Sequence, residues 1–320
     1  MPRRRRLPRW LVWSGAAVFM LVLVGPFLLP LPPLPDTVPP AELAQPGDRF
    51  IEVNGIELRY RMAGVGDPVF VLLHGFGANA ASWIPVMEDL SSLGRVAAFD
   101  RVGFGLTERP LQWQGPDPYG GPAQVALTLG LMDRLGIDQA VLVAHSAGGA
   151  VALAVALDHP DRVSGLVLEA PAVDGQRGWM RALASTPQGK RVVQFVARRA
   201  ARRIDSLLES AYRDPARITA EVRDAYRLPL RAHNWDRGLA LFVAAAPLPS
   251  PRTRLTELTP PVLVITADDD RWVGSHNTIQ LAAEIPGAEL VVVPDCGHVV
   301  HEECPTAFFE AVRDSRVLAP

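Results

Sequence analysis

Ser146 stands in the run Ala144-His145-Ser146-Ala147-Gly148-Gly149, with the apolar segment Ala140-Val141-Leu142-Val143 before it and the helix-forming segment Ala150 to Leu157 after it. A strand, a sharp turn on a serine and a helix make a nucleophile elbow, which strains the backbone at the serine and exposes its hydroxyl. Small neighbours are needed where the strand and helix pass close together. Ala144 takes the first position of the Gly-x-Ser-x-Gly pattern and Gly148 the last. A serine nucleophile also needs a base, an orienting acid and donors for the developing oxyanion. Candidates follow in chain order. Pro261 to Thr266 reads as a buried strand running into Ala267-Asp268-Asp269-Asp270-Arg271-Trp272-Val273. Leu290 to Val293 is another, followed by Pro294-Asp295-Cys296-Gly297-His298. Upstream, Val69 to Leu73 runs into His74-Gly75-Phe76-Gly77.

These elements imply a positioning frame. Phe50-Ile51-Glu52-Val53 and Ile56 to Tyr60 alternate around Asn54-Gly55, a strong hairpin signal. From Val69 onward, buried strands alternate with helices, as in a mostly parallel sheet covered on both faces. The β-rhythm disappears between Ala172 and Pro249, where Gln188 to Tyr212 and Ala220 to Arg227 read as helical.

With these motifs in view, the chain resembles the α/β-hydrolase fold serine hydrolases of the esterase and lipase type. The matching stretch runs from about Phe50 to Phe309 and includes Asp100-Arg101-Val102-Gly103-Phe104-Gly105-Leu106-Thr107. The resemblance implies that Ser146 is the nucleophile, His298 the general base and acid, and Asp270 the orienting carboxylate, since Ala267, Asp270 and Val273 fit the family's acid loop. It implies an oxyanion hole formed by the backbone N–H groups of Phe76 and Ala147, and a helical cap over the strand ends. His74, His145 and Asp100 are expected to brace loops. The expected chemistry is hydrolysis of a small-molecule ester or lipid through an acyl-enzyme. A carbon–carbon bond hydrolase of ring-cleavage products, a perhydrolase and a non-catalytic ligand receptor are the alternatives. Serine at 146 argues against the dehalogenase and epoxide-hydrolase relatives, which use aspartate there.

Composition bounds the rest. The chain has 320 residues, 48% of them hydrophobic, enough for one large core. Five arginines in residues 1–9 precede the uncharged run 10–31, which as one helix would be about 33 Å long. The organisation expected is a basic cytoplasmic tail (1–9), a transmembrane signal anchor (10–31), a Pro-rich tether (32–48), a hydrolase core (49–171 and 256–320) and a cap (172–255). The membrane would then be a partner and the catalytic domain extracytoplasmic, or secreted if the signal is cleaved. The cap carries 16 Lys/Arg against 7 Asp/Glu. That excess reads as a solvated surface, with docking on anionic lipid as the alternative. Val192, Val196, Ala200, Ile204 and Leu207 make an apolar stripe beside Arg198, Arg199, Arg202 and Arg203. The two cysteines, Cys296 and Cys304, read as free thiols. No cofactor, metal or nucleic-acid motif is present: the chain has neither His-x-x-x-His nor a short-spaced Cys pair, and no phosphate loop.

Overall fold

A computed structural model of the chain describes residues 9–34, 36–174 and 178–318. Asn54 and Gly55 both take positive φ, 51° and 76°, and close the hairpin of β1 (Arg49–Val53) on β2 (Ile56–Ala63). The remaining strands are β3 (Val69–Leu73), β4 (Arg95–Phe99), β5 (Ala140–His145), β6 (Val163–Glu169), β7 (Val262–Ala267) and β8 (Glu289–Val293). They form one eight-stranded sheet in the order β1-β2-β4-β3-β5-β6-β7-β8, parallel from β4 to β8. β3 shows how the pleat sorts side chains: Val69, Val71 and Leu73 enter one apolar cluster, Phe70 and Leu72 the other. Helices cover both faces. α3 (Gly121–Arg134), α4 (Gly148–Asp158) and α10 (Ser275–Glu284) contribute to the first cluster. α2 (Ile84–Ser91), α11 (Val300–Glu303) and α12 (Pro305–Arg313) contribute to the second.

Between β6 and β7 the chain runs through α5 (Gly178–Ala184), α6 (Pro187–Ala201), α7 (Ile204–Ala211), α8 (Ala220–Arg227) and α9 (Trp235–Ala244). The helix expected over Gln188 to Tyr212 breaks in two, because Arg203 leaves helical geometry (φ −123°, ψ 26°). The stripe on it is only partly covered: Val192, Val196 and Leu207 are exposed, while Ala200 and Ile204 are half-buried. The buried side of α6 packs on α9, with Arg198 Nε 2.7 Å from Asp236 and Gln194 donating to the same carboxylate.

The N-terminal expectation is corrected. α1 (Arg9–Val24) has 16 residues and is followed by a 3₁₀ turn, Gly25–Leu28. Pro26 supplies no N–H and disfavours α-geometry before it, so the helix stops. At about 24 Å it falls short of a bilayer core of about 30 Å. No helix among the described residues is long and apolar enough to cross a membrane. The expected anchor, membrane partner and extracytoplasmic placement fall with that span. Residues 1–8, with four of the five arginines, lie outside the described residues. The chain after α1 instead lies on the cap: Arg191 donates to the carbonyls of Pro26 and Leu29, and Arg198 to that of Pro32. The Pro-rich stretch continues as packed structure, with Leu43 buried against Leu106 and Ala232 and Asp48 holding Arg59 and Arg61.

Cys296 and Cys304 are disulfide-bonded, which corrects the free-thiol expectation. The short helix α11 folds the eight-residue separation back on itself and brings the Cα atoms to 6.3 Å, within bonding range.

Candidate active site

Ser146 has φ 50°, a left-handed conformation that costs a non-glycine residue about 1–3 kcal/mol. Three backbone hydrogen bonds hold it there. Its N–H donates to the Glu169 carbonyl at 2.9 Å, and its carbonyl accepts from Gly149 at 2.9 Å and Ala172 at 3.0 Å. The tight crossing also accounts for the small residues. A Cβ at Gly148 would lie 2.4 Å from the Leu73 carbonyl oxygen, and one at Gly75 would lie 2.7 Å from His145 Nδ1.

Asp270 and His298 come together from the ends of β7 and β8. His298 Nδ1 lies 3.0 Å from Asp270 Oδ1, and both side chains are buried. The same oxygen accepts the N–H groups of Trp272 (2.9 Å) and Val273 (3.0 Å). Burial works to raise the Asp270 pKa. The hydrogen bond and charge of His298, with the two N–H donors, outweigh it and hold the carboxyl below its ordinary value. Asp268 and Asp269 face other work: Asp268 is 3.2 Å from Arg213, and Asp269 binds Arg271. The Trp272 ring stacks on His298, centroids 5.7 Å apart and 11° from parallel, a contact that only the loop's Trp signals in the sequence. The His298 main chain is pinned from two sides. Its N–H donates to Ala211 of the cap at 2.8 Å, and its carbonyl lies 3.2 Å from His145 Nε2. No hydrogen bond joins Ser146 Oγ to His298 in this structure; such contacts are often loose before substrate binds.

His74 shapes the opposite side. The Arg101 N–H donates to its Nε2 at 3.0 Å, so that nitrogen is the acceptor. Nδ1 then carries the proton and donates to the Gly75 carbonyl at 2.7 Å. Burial first, and then the charge of Arg101, push the His74 pKa well below its ordinary value, consistent with a neutral ring. The anchored carbonyl belongs to the same trans peptide as the Phe76 N–H, which therefore points the other way. Neither the Phe76 nor the Ala147 N–H has a hydrogen-bond partner among the described residues. They are a ready pair of donors, and the second sits at the N-terminus of α4, where the helix dipole favours negative charge.

Phe76 and Ala147 both line a cavity of about 220 Å³, walled mainly by Tyr119, Val151, Phe242 and Leu248, with buried Arg101 and Gln124 and the more exposed Asp174 and Arg181 as its polar residues. Asp100 braces the loop beneath it, accepting the N–H groups of Ala80 and Leu106 at 2.6 Å and pairing with Arg59 at 3.0 Å. A second acid–histidine pair, which the sequence reading missed, lies behind the first. His301 Nδ1 is 2.7 Å from Glu169 Oε2, and its ring is 4.9 Å from that of His145. No group of acids, histidines and cysteines among the described residues is arranged to hold a metal ion.

Comparison with known proteins gives this geometry its context. Residues 68–305 match the model of a family described as the alpha/beta hydrolase fold. The chain is 31% identical over 275 residues to a 2-hydroxy-6-oxo-2,4-heptadienoate hydrolase of Pseudomonas putida, covering 83% of this chain and 95% of the relative. Among solved structures it resembles an enol-lactonase from Burkholderia xenovorans, with TM-score 0.66 and 28% identity over 83% of this chain and 98% of that one. It also resembles a thermophilic esterase from Thermogutta terrifontis, with TM-score 0.69 and 26% identity over 85% and 97% of the two chains.

Proposed function

This chain belongs to the α/β-hydrolase fold family, and from that premise we propose that it is a serine hydrolase that cleaves a carbon–carbon bond in a keto acid. The likeness to the heptadienoate hydrolase over nearly that protein's whole length carries this reading. It displaces ester cleavage as the leading expectation.

In this reading His298 takes the Ser146 proton as Oγ attacks the ketone carbonyl, and Asp270 holds the imidazole in the required tautomer. The Phe76 and Ala147 N–H groups bind the oxyanion, each donor contributing about 3 kcal/mol. Collapse breaks the bond to the adjacent carbon. Before attack a 2-hydroxydienoate substrate ketonises, its hydroxyl proton moving to the carbon beside the ketone. The departing electron pair is therefore an enolate conjugated to the new 2-keto group, and His298 returns the proton to it. Water, activated by the same histidine, then releases the second acid from the acyl-serine.

Lactone or ester hydrolysis is the second reading, supported by the likeness to the enol-lactonase and the esterase; it runs through the same acyl-serine. Steady-state assays decide between them. 2-Hydroxy-6-oxo-2,4-heptadienoate, followed by loss of its conjugated absorbance, is expected to give a kcat/KM at least about a hundredfold above that of p-nitrophenyl butyrate. The reverse ranking makes the enzyme an esterase.

A further inference from the structure

Arg101 is a buried cation without a counter-charge. Its side chain is 2% exposed and borders the cavity that Phe76 and Ala147 line. No carboxylate pairs with it among the described residues, and its Nε and Nη2 atoms are buried without a hydrogen-bond partner. The nearby acids are committed elsewhere. Asp100 serves Arg59 and two backbone N–H groups. Asp174, the carboxylate among the described cavity residues, lies 3.0 Å from Arg252. Aromatic rings surround the guanidinium instead, Phe104 at 5.5 Å and Phe242 at 6.0 Å from Cζ. Ring faces attract a cation but accept none of its in-plane N–H bonds. Burial pushes the Arg101 pKa down to about 10, so it stays charged at neutral pH. Its backbone N–H is tied to His74, which fixes it beside the loop carrying Phe76.

A buried charge left unpaired is costly, and a ligand that brings the opposite charge into the cavity removes that cost. The guanidinium fork matches the two oxygens of a carboxylate. We infer that Arg101 is the anion-recognition residue of this cavity, binding a carboxylate at the end of the substrate remote from the carbonyl that Ser146 attacks. The inference rests on the cavity being the substrate site of the proposed hydrolase.

The test compares two esters of matched length, mono-p-nitrophenyl glutarate and p-nitrophenyl pentanoate, which differ by a terminal carboxylate against a methyl group. The wild-type chain is expected to prefer the glutarate ester by about tenfold to a hundredfold in kcat/KM, mostly through KM. Arg101→Gln is expected to bring the ratio near one, and Arg101→Lys to recover part of it. Equal kcat/KM values in the wild type, or a preference that survives Arg101→Gln, overturn the inference and leave the hydrolase reading standing. If circular dichroism shows Arg101→Gln to be unfolded, competition on the wild type decides: glutarate inhibiting no better than glutaramide overturns the inference. If neither ester turns over, the hydrolase reading is judged on 2-hydroxy-6-oxo-2,4-heptadienoate and the anion site on binding. Thermal stabilisation by glutarate in the wild type that is lost in Arg101→Gln supports the anion site, and no stabilisation of the wild type, or stabilisation undiminished in Arg101→Gln, overturns it.

Discussion

At the scale of single residues, the candidate site depends on a few atoms whose neighbours set their chemistry. Asp270 Oδ1 takes three hydrogen bonds, one of them from the histidine it orients. Asp270→Asn keeps the volume and turns the His298 tautomer around, so kcat is expected to fall about 10³- to 10⁴-fold with thermal stability nearly kept. Ser146→Ala is expected to remove turnover and labelling by a fluorophosphonate, with an unchanged circular dichroism spectrum. Asp268→Asn and Asp269→Asn alter arginine pairs near the surface, with Asp268 Oδ1 also accepting the Cys296 N–H at 3.4 Å, and are expected to stay within a few-fold of wild type. A severe Asp269→Asn would mean that the register of the acid loop is misread. These three carboxylates are adjacent in sequence, and the loop's fit to a family pattern singled out Asp270. The structure supplies the physical ground, since Asp270 alone among them meets a histidine.

At the scale of elements, the His298 loop is held at both ends. The disulfide closes residues 296–304 around it, and Glu303 accepts the Gly297 N–H at 2.7 Å. Closing a loop of that size is worth about 2–3 kcal/mol in the chain-entropy model. Cys304→Ser is therefore expected to lower the unfolding free energy in urea by about that amount, and to reduce kcat as the His298 loop loosens. Dithiothreitol on the wild type should reproduce both effects. A change below about 0.5 kcal/mol would show that packing of α11 alone holds the loop. The elbow has a different dependence. Gly148 is required because α4 starts against the end of β3, a contact between elements 75 residues apart in the chain. Sequence pattern signalled the small residue; only the packed sheet reveals what it avoids.

At the scale of the whole molecule, buried polar residues link cap, core and site. Tyr212 and Tyr226 of the cap region both donate to Glu302, and His301 pairs with Glu169 between the sheet and Trp83. Burial pulls the His301 pKa down, but the charge and hydrogen bond of Glu169, with the charge of Glu302, carry it above its ordinary value of about 6.5. A raised histidine contributes stability that is complete below the unfolded pKa and is lost as pH rises through the folded one. Glu302, also raised, acts in the same direction at lower pH. The Tm gap between wild type and His301→Gln should therefore be widest near pH 5.5 and narrow as the pH rises toward 9. A gap that widens with pH would contradict a charged His301–Glu169 pair.

The same three scales separate what the sequence determined from what tertiary structure decided. Alternating buried strands and helices reveal a mostly parallel sheet, because period and run length are local properties of the chain. Ser146 and His298 stand out as candidates because each lies in a short motif just past its own strand, and only the resemblance to a family loop separates Asp270 from the two carboxylates beside it. The disulfide, the Glu169–His301 pair and the unpaired guanidinium of Arg101 were not legible. Each is defined by what lies across space from it, and nothing in an arginine's sequence neighbours tells whether a carboxylate will meet it. The N-terminal run shows the limit from the other side. Hydropathy alone suggested a 22-residue span, whereas Gly25-Pro26 divides it and the following residues lie against α6. Composition measures how apolar a segment is, and helix length and contacts decide what it can do.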